Sequence, residues 1–215
     1  MARSFHIAIG IFLLPTLLSA ELLKKPPEVP QELNFVRMLD VDSYAEATNR
    51  RGLGAQTTWI RTRYLDPDVN AFVGMLMGFS HFNQDLRIKS PDAPDTAGLM
   101  WNWGIDLGLQ RGKHLWELDL MGTTLSSDLG AGLGISGEHQ LGQRLIFYHR
   151  TVINLFAGDA ILDADQGFYW MWKWAGLSLG YRWFTSQHMD RSGPHAGVVL
   201  RFKNPKIPFL FPSMG

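Results

Sequence analysis

The sequence predicts an all-β chain, an antiparallel transmembrane β-barrel of about 8–10 strands, and three observations predict it. The first is the stretch 99–125. Leu99, Trp101, Trp103, Ile105, Leu107 and Leu109 alternate with Asn102, Gly104, Asp106, Gly108 and Gln110, a period of two that makes one strand face apolar and the other small or polar. The second is composition: the chain is 46% hydrophobic, yet its mean hydropathy is only −0.06. Past the N-terminus it has no apolar run long enough for a membrane helix, and alternating strands hide apolar content from such an average. The third is glycine. Gly130, Gly132 and Gly134 alternate with Leu129, Ala131, Leu133 and Ile135, so a bare inner face backs an apolar outer one.

Taken in order, residues 1–20 read as a secretory signal peptide. Arg3 is its positive end, residues 7–14 its apolar segment, Pro15 a break, and Leu18-Ser19-Ala20 a cleavage site. Residues 21–34 are proline-rich and charged, and read as an extended leader. A strand is expected around Phe35–Leu39, running on through Asp40, Asp42 and Tyr44 to Ala47, before the turn signal Asn49-Arg50-Arg51-Gly52. Residues 54–65 place Arg61 and Arg63 on one face and Ile60, Thr62 and Tyr64 on the other. In residues 71–82, Val73, Met75, Met77 and Phe79 alternate with Gly74, Leu76, Gly78 and Ser80, and the small face is expected inside. Residues 83–98 form the longest polar loop.

The central hairpin turns at Gly112-Lys113, where Gly supplies the positive φ of a two-residue loop. That turn sets Leu109 against Trp116, Leu107 against Leu118 and Ile105 against Leu120, with Gly108 against Glu117 and Asp106 against Asp119 on the other face. Residues 144–156 form a strand whose inward side the pattern leaves open. Residues 158–166 (GDAILDADQ) read as a polar loop. In 167–184 the aromatic parity flips near Trp174-Ala175, as a turn, a bulge or an inward aromatic stack would produce. Residues 185–194 read as a loop, and 195–202 (HAGVVLRF) as the last strand. If 167–184 is one strand and the first candidate is left out, the count is about eight, but long loops then fall on the side of the barrel that normally carries short turns. Two strands in 167–184, with the first candidate included, give about ten and put the long loops at the other end. Ten is preferred.

Zero cysteines exclude disulfides, thiol catalysis and cysteine-ligated metals, and a net charge of +0 offers nothing to nucleic acid. The alternating glycines do not sit between a strand and a helix, which excludes a phosphate-binding loop.

Together these residues resemble the small bacterial outer-membrane barrel proteins over residues 35–202. The run 179–184 (LGYRWF) is typical of that class, and HAGVVLRF looks like its closing strand, with Phe202 in the place of the terminal aromatic that the assembly machinery recognises. One departure is that the chain continues through a tail, 203–215 (KNPKIPFLFPSMG). The resemblance implies export to the outer membrane, with membrane lipids and the barrel-assembly machinery as partners and no cofactor.

Inside such a barrel, Asp106, Glu117, Asp119 and Glu138 are expected to project into the lumen. Facing carboxylates such as Asp106 and Asp119 repel unless offset by arginine. Arg61, Arg63, Arg144, Arg150 and Arg182 are candidates for that role. The favoured reading is an internal ion-pair network that fills a narrow barrel, because at this strand number side chains occupy most of the interior. A proton-transferring carboxylate pair and a solute path are the alternatives. Ser80-His81 and Ser186-Gln187-His188 place hydroxyl beside imidazole in sequence, the minimum for a lipid-modifying enzyme, but match no motif. Nor do His139 and His195 form one, and no histidine pair has helical metal-ligand spacing. The Trp residues read as an interfacial girdle. Three functions follow: a non-enzymatic envelope or surface-contact barrel, a narrow solute channel, or an envelope-lipid-modifying enzyme.

Overall fold

The computed structural model describes residues 36–48, 52–66, 70–82, 98–126, 128–186 and 191–203 of the 215-residue chain. The signal-peptide, leader and tail readings, and His188, lie outside the described residues, as does nearly all of the loop 83–98. The chain divides into two units, 1–33 and 34–215, and every described residue belongs to the second.

Ten strands follow one another: β1 (Val36–Thr48), β2 (Gly52–Asp66), β3 (Ala71–Phe82), β4 (Leu99–Arg111), β5 (His114–Leu125), β6 (Asp128–Gln140), β7 (Leu145–Phe156), β8 (Asp159–Trp172), β9 (Ala175–Thr185) and β10 (Gly193–Lys203). Each pairs antiparallel with its neighbours in sequence, and β1 pairs with β10, so the sheet closes on itself and has no edge. The β4–β5 register is the expected one, with Asp106 opposite Asp119 and Leu107 opposite Leu118. Gly112, at φ 56°, takes the left-handed conformation that the two-residue turn requires. Among the described residues, the β1–β2 register shifts at a bulge between Glu46 and Ala47.

The preferred ten-strand count holds. The aromatic run is divided by a turn at Lys173-Trp174, which accounts for the parity flip. Residues 158–166 are a correction. They do not form a polar loop, because all but Gly158 lie in β8, and the true β7–β8 connection is Ala157-Gly158. The polar side chains there belong to a strand whose polar face is turned inward.

Alternation fixes the two faces of the wall. Leu107 and Leu118 are 42% and 41% exposed on the outside, whereas Asp106 and Asp119 are 0% and 1% exposed inside. Met75, Ile105, Leu120, Ile135, Ile153, Leu177 and Val198 continue the apolar belt around the barrel. Aromatic groups bound it at both ends. Near the long connections, Phe79 lies against Trp101 with centroids 4.9 Å apart, and Tyr181 lies 4.7 Å from Trp183. Near the other end, Trp170, Trp172 and Trp174 are exposed. A belt of this kind cannot face water as a stable monomer surface; it faces lipid, and closure of the sheet pairs the strands of the wall on both sides. The chain is a transmembrane barrel.

Trp59 departs from the girdle expectation. It is 4% exposed and points into the lumen. Room for it comes from Gly78 on the adjacent strand, where a Cβ would sit 2.5 Å from the indole ring. Gly132 does the same for Asn154, its partner on β7, so the small residues of the inner face make room for bulky side chains on the neighbouring strand, as the alternation in β3 and β6 predicts.

Candidate functional site: the lumen

The inward faces stack into layers along the barrel axis. At the end of the long connections, Ala55, Phe82, Met100, Leu125, Ile161 and Phe184 close the lumen as an apolar cap, with Phe156 packed against it. All of these lie at strand ends next to the connections 49–51, 83–98, 126–127, 157–158 or 186–192.

Below the cap sits Arg182, 0% exposed. Its Nε donates to Asp163 at 2.6 Å and its Nη2 to the other Asp163 oxygen at 2.8 Å. Nη1 donates to Glu46 at 2.5 Å and to Thr57 at 2.8 Å, and the guanidinium also stacks over Phe184. The expected inward placement of Arg182 is therefore met, with carboxylates from β1 and β8 as its partners. A second apolar layer follows, made of Tyr44, Trp59, Leu76, Met121 and Val152. Arg150 lies over the Trp59 ring, 3.7 Å from its centroid.

The third layer gathers the remaining candidates. Glu117 on β5 accepts from Arg61 and from Arg63, both at 2.6 Å, and from Ser136 at 2.8 Å. Arg63 also pairs with Asp40. Asp106 and Asp119 hold looser places, with Arg63 3.7 Å from Asp106 and Arg61 3.9 Å from Asp119. Glu138 makes a two-pronged pair with Arg201, each contact 2.7 Å. Between these and the wall of β7–β10, Tyr169 donates to Asp42 at 2.9 Å, and His195 lies 2.8 Å from Asp165 with Tyr44 stacked on its ring at 4.1 Å. A chamber of about 40 Å³ separates the groups, enough for on the order of three waters.

The structure thus brings Asp106, Glu117, Asp119, Glu138, Arg61 and Arg63 into one layer and sets Arg182 in another. Arg144 is a correction: it is exposed in the β6–β7 connection and takes no part. Phe202 lies on β10 opposite Leu39, its ring stacked 5.9 Å from Trp174. Ser80 and His81 point to opposite faces, Ser80 buried and His81 exposed, so that hydroxyl–imidazole pair is not assembled. His139 sits on the outer wall, its Nδ1 3.0 Å from that of His114. His195, by contrast, is buried in the lumen.

Sequence reasoning missed Asp42, Glu46, Asp163, Asp165 and Arg201 as lumen residues. The signal was present: Asp40, Asp42, Tyr44 and Glu46 recur at every second position, as do Ile161, Asp163, Asp165 and Gly167.

At the end where both described chain termini lie, the lumen opens into a vestibule of about 340 Å³. Its floor is the Arg63–Asp40 and Arg201–Glu138 pairs.

No family model and no curated protein matches this sequence. Solved bacterial barrels do resemble the structure. An outer membrane channel from Pseudomonas putida F1 matches at TM-score 0.44 and 8% identity, over 84% of this chain and 98% of that one. The translocator domain of the autotransporter NalP from Neisseria meningitidis matches at TM-score 0.38 and 10% identity, over 93% and 98%. A loop-deleted form of OmpT, an outer membrane protein of Vibrio cholerae, matches at TM-score 0.41 and 10% identity over 77% of this chain, which spans 62% of that protein's length. At such low identity and similarity, it is the chain's own closed wall, with apolar outside and charged inside, that makes it a transmembrane β-barrel.

Proposed function

We propose that the protein is an outer-membrane barrel of the bacterial envelope whose lumen is a filled strut and does not conduct. The observation that carries this reading is the buried Arg182 layer, held by Asp163 and Glu46 and capped by Phe82, Phe184 and Met100. A permeating ion would have to displace both an apolar layer and a neutralised guanidinium. Its role is then mechanical or one of surface contact, through membrane lipids on the belt and the connections at the capped end. Assembly would depend on the closing strand β10, with Phe202 as the aromatic that the assembly machinery reads.

The test has two arms. The protein should fractionate with outer membranes and migrate anomalously on gels until heated, since closed barrels resist detergent. Reconstituted in planar bilayers it should show no unitary conductance steps. Recovery as a soluble periplasmic protein would overturn the location, and steady single-channel steps would overturn the filled lumen. The channel reading draws on one observation, the vestibule and the 40 Å³ chamber lying in line beneath the cap.

A further inference from the structure

We propose that the vestibule binds an anionic amphiphile, an anionic head on a short alkyl body, at the mouth formed by Lys113, Lys173 and Lys203. These lysines come from three separate places around the opening: the β4–β5 turn, the β8–β9 turn and the end of β10. The carboxylates lining the same space are Asp40 and Glu138, and both are committed to arginines, Asp40 to Arg63 and Glu138 to Arg201. The floor is therefore neutral in sum and the rim is positive. Such a concavity, with low-dielectric walls, concentrates anions.

The walls decide what kind of anion. Met38, Leu115, Ile146 and Phe202 line the vestibule between the lysines and the ion pairs, beside the uncharged polar groups of Gln110 and Gln140 and the imidazole of His114. A bare phosphate would leave that apolar surface wet, whereas an alkyl chain covers it while its head stays at the rim. A volume of about 340 Å³ falls at the small end of ligand pockets. The pocket is also blind, because the Arg182 layer and the apolar cap close the lumen beyond it. A ligand that enters must leave by the same mouth, so the site suits capture rather than passage.

The experiment uses the full protein, extracted in an uncharged maltoside and labelled at its methionine methyl groups, with hexanoate as the probe. Met38 reports on the vestibule, and the lipid-facing Met75 and Met77, 49% and 42% exposed, report on partition of the probe into the micelle. Hexanoate should shift the Met38 methyl signal saturably while Met75 and Met77 drift without saturating. Lys113→Gln, Lys173→Gln and Lys203→Gln should each weaken binding about two- to fivefold, and the triple variant about tenfold or more, the range of partly exposed ion pairs. Added salt should weaken it further. Hexanol should give no saturable shift. The proposal is overturned if hexanol saturates Met38 equally, if inorganic phosphate alone produces the same shift, or if the triple variant binds hexanoate as the parent does.

Discussion

Arg182 meets Asp163 as a fork, Nε and Nη2 each donating to a different carboxylate oxygen at 2.6 and 2.8 Å. Nη1 is then left to reach Glu46 on β1, over the intervening strand β10. The three groups come from β9, β8 and β1, so a single guanidinium ties the closing seam of the barrel to its neighbours. Breaking a buried pair from one side leaves the other charge uncompensated. Arg182→Met should therefore destabilise the barrel by about 3–5 kcal/mol. Adding Glu46→Gln should restore part of that loss, because the carboxylate left without a partner is removed, while Asp163 keeps Arg150 3.7 Å away as its counter-charge. Urea unfolding in lipid vesicles, followed by tryptophan fluorescence, measures both. An Arg182→Met protein as stable as the parent would show that this layer is solvated.

The outer wall makes a separate prediction. Leu107 and Leu118 pair across the β4–β5 hairpin and both face lipid. Leu107→Arg near mid-membrane should cost about 2–4 kcal/mol, against little for Gln110→Glu on the vestibule side. Gly104→Ala is not a harmless lumen control, because a Cβ there would run into the Leu120 carbonyl. Equal losses for Leu107→Arg and Gln110→Glu in the same unfolding assay would reverse the assignment of faces.

Trp59 gives a third. Its indole fills the space over Gly78 and carries Arg150 on its other side. Gly78→Val would push the ring off its seat, overpacking the second apolar layer at about 1–3 kcal/mol. Trp59→Ala would instead open a cavity and strand Arg150 above it, at about 3–5 kcal/mol. If the two substitutions prove additive when combined, they are not acting on one joint, since residues in contact couple.

What the sequence allowed one to read, and what it hid, follows from which face carries the signal. The β4–β5 register was readable residue by residue, because Gly112 fixes a two-residue turn and a period of two then admits one pairing with apolar on apolar. Residues 159–166 were misread for the opposite reason. In a barrel whose interior is polar, a strand with small outward residues such as Ala160 and Ala164 and inward Asp163 and Asp165 has the composition of a loop. Only its closure between β7 and β9 shows it to be a strand. Partners were harder still. Arg182 bonds Glu46 across 136 positions of sequence, and Tyr169 bonds Asp42 across 127, distances over which no local pattern carries information. Arg144 could be offered as a lumen cation for the same reason: the inward parity of its strand was open, and the β6–β7 connection that holds it outside was not fixed.

The last prediction concerns which carboxylate holds the charged layer together. Asp106 and Asp119 face each other, and from the hairpin alone they look like the counter-charges of the arginines, so that losing both would cost more than the sum of the single losses. The geometry gives that part to Glu117. It takes the 2.6 Å bonds from Arg61 and Arg63, while the two aspartates stand 3.7 and 3.9 Å from the nearest guanidinium nitrogens. With Glu117 in place and Asp40 on the far side of Arg63, either guanidinium keeps a partner when an aspartate is neutralised. Asp106→Asn and Asp119→Asn should each change stability by less than about 1 kcal/mol, since relief of like-charge repulsion offsets the weaker attraction to arginine. Their combination should be close to additive. Glu117→Gln removes the counter-charge shared by two buried cations and turns one acceptor oxygen into a donor, and should cost about 3–5 kcal/mol. Unfolding of the four variants in the same vesicles decides it. If the double aspartate variant falls as far as Glu117→Gln, the facing pair carries the layer after all, and Glu117 is only one acceptor among three.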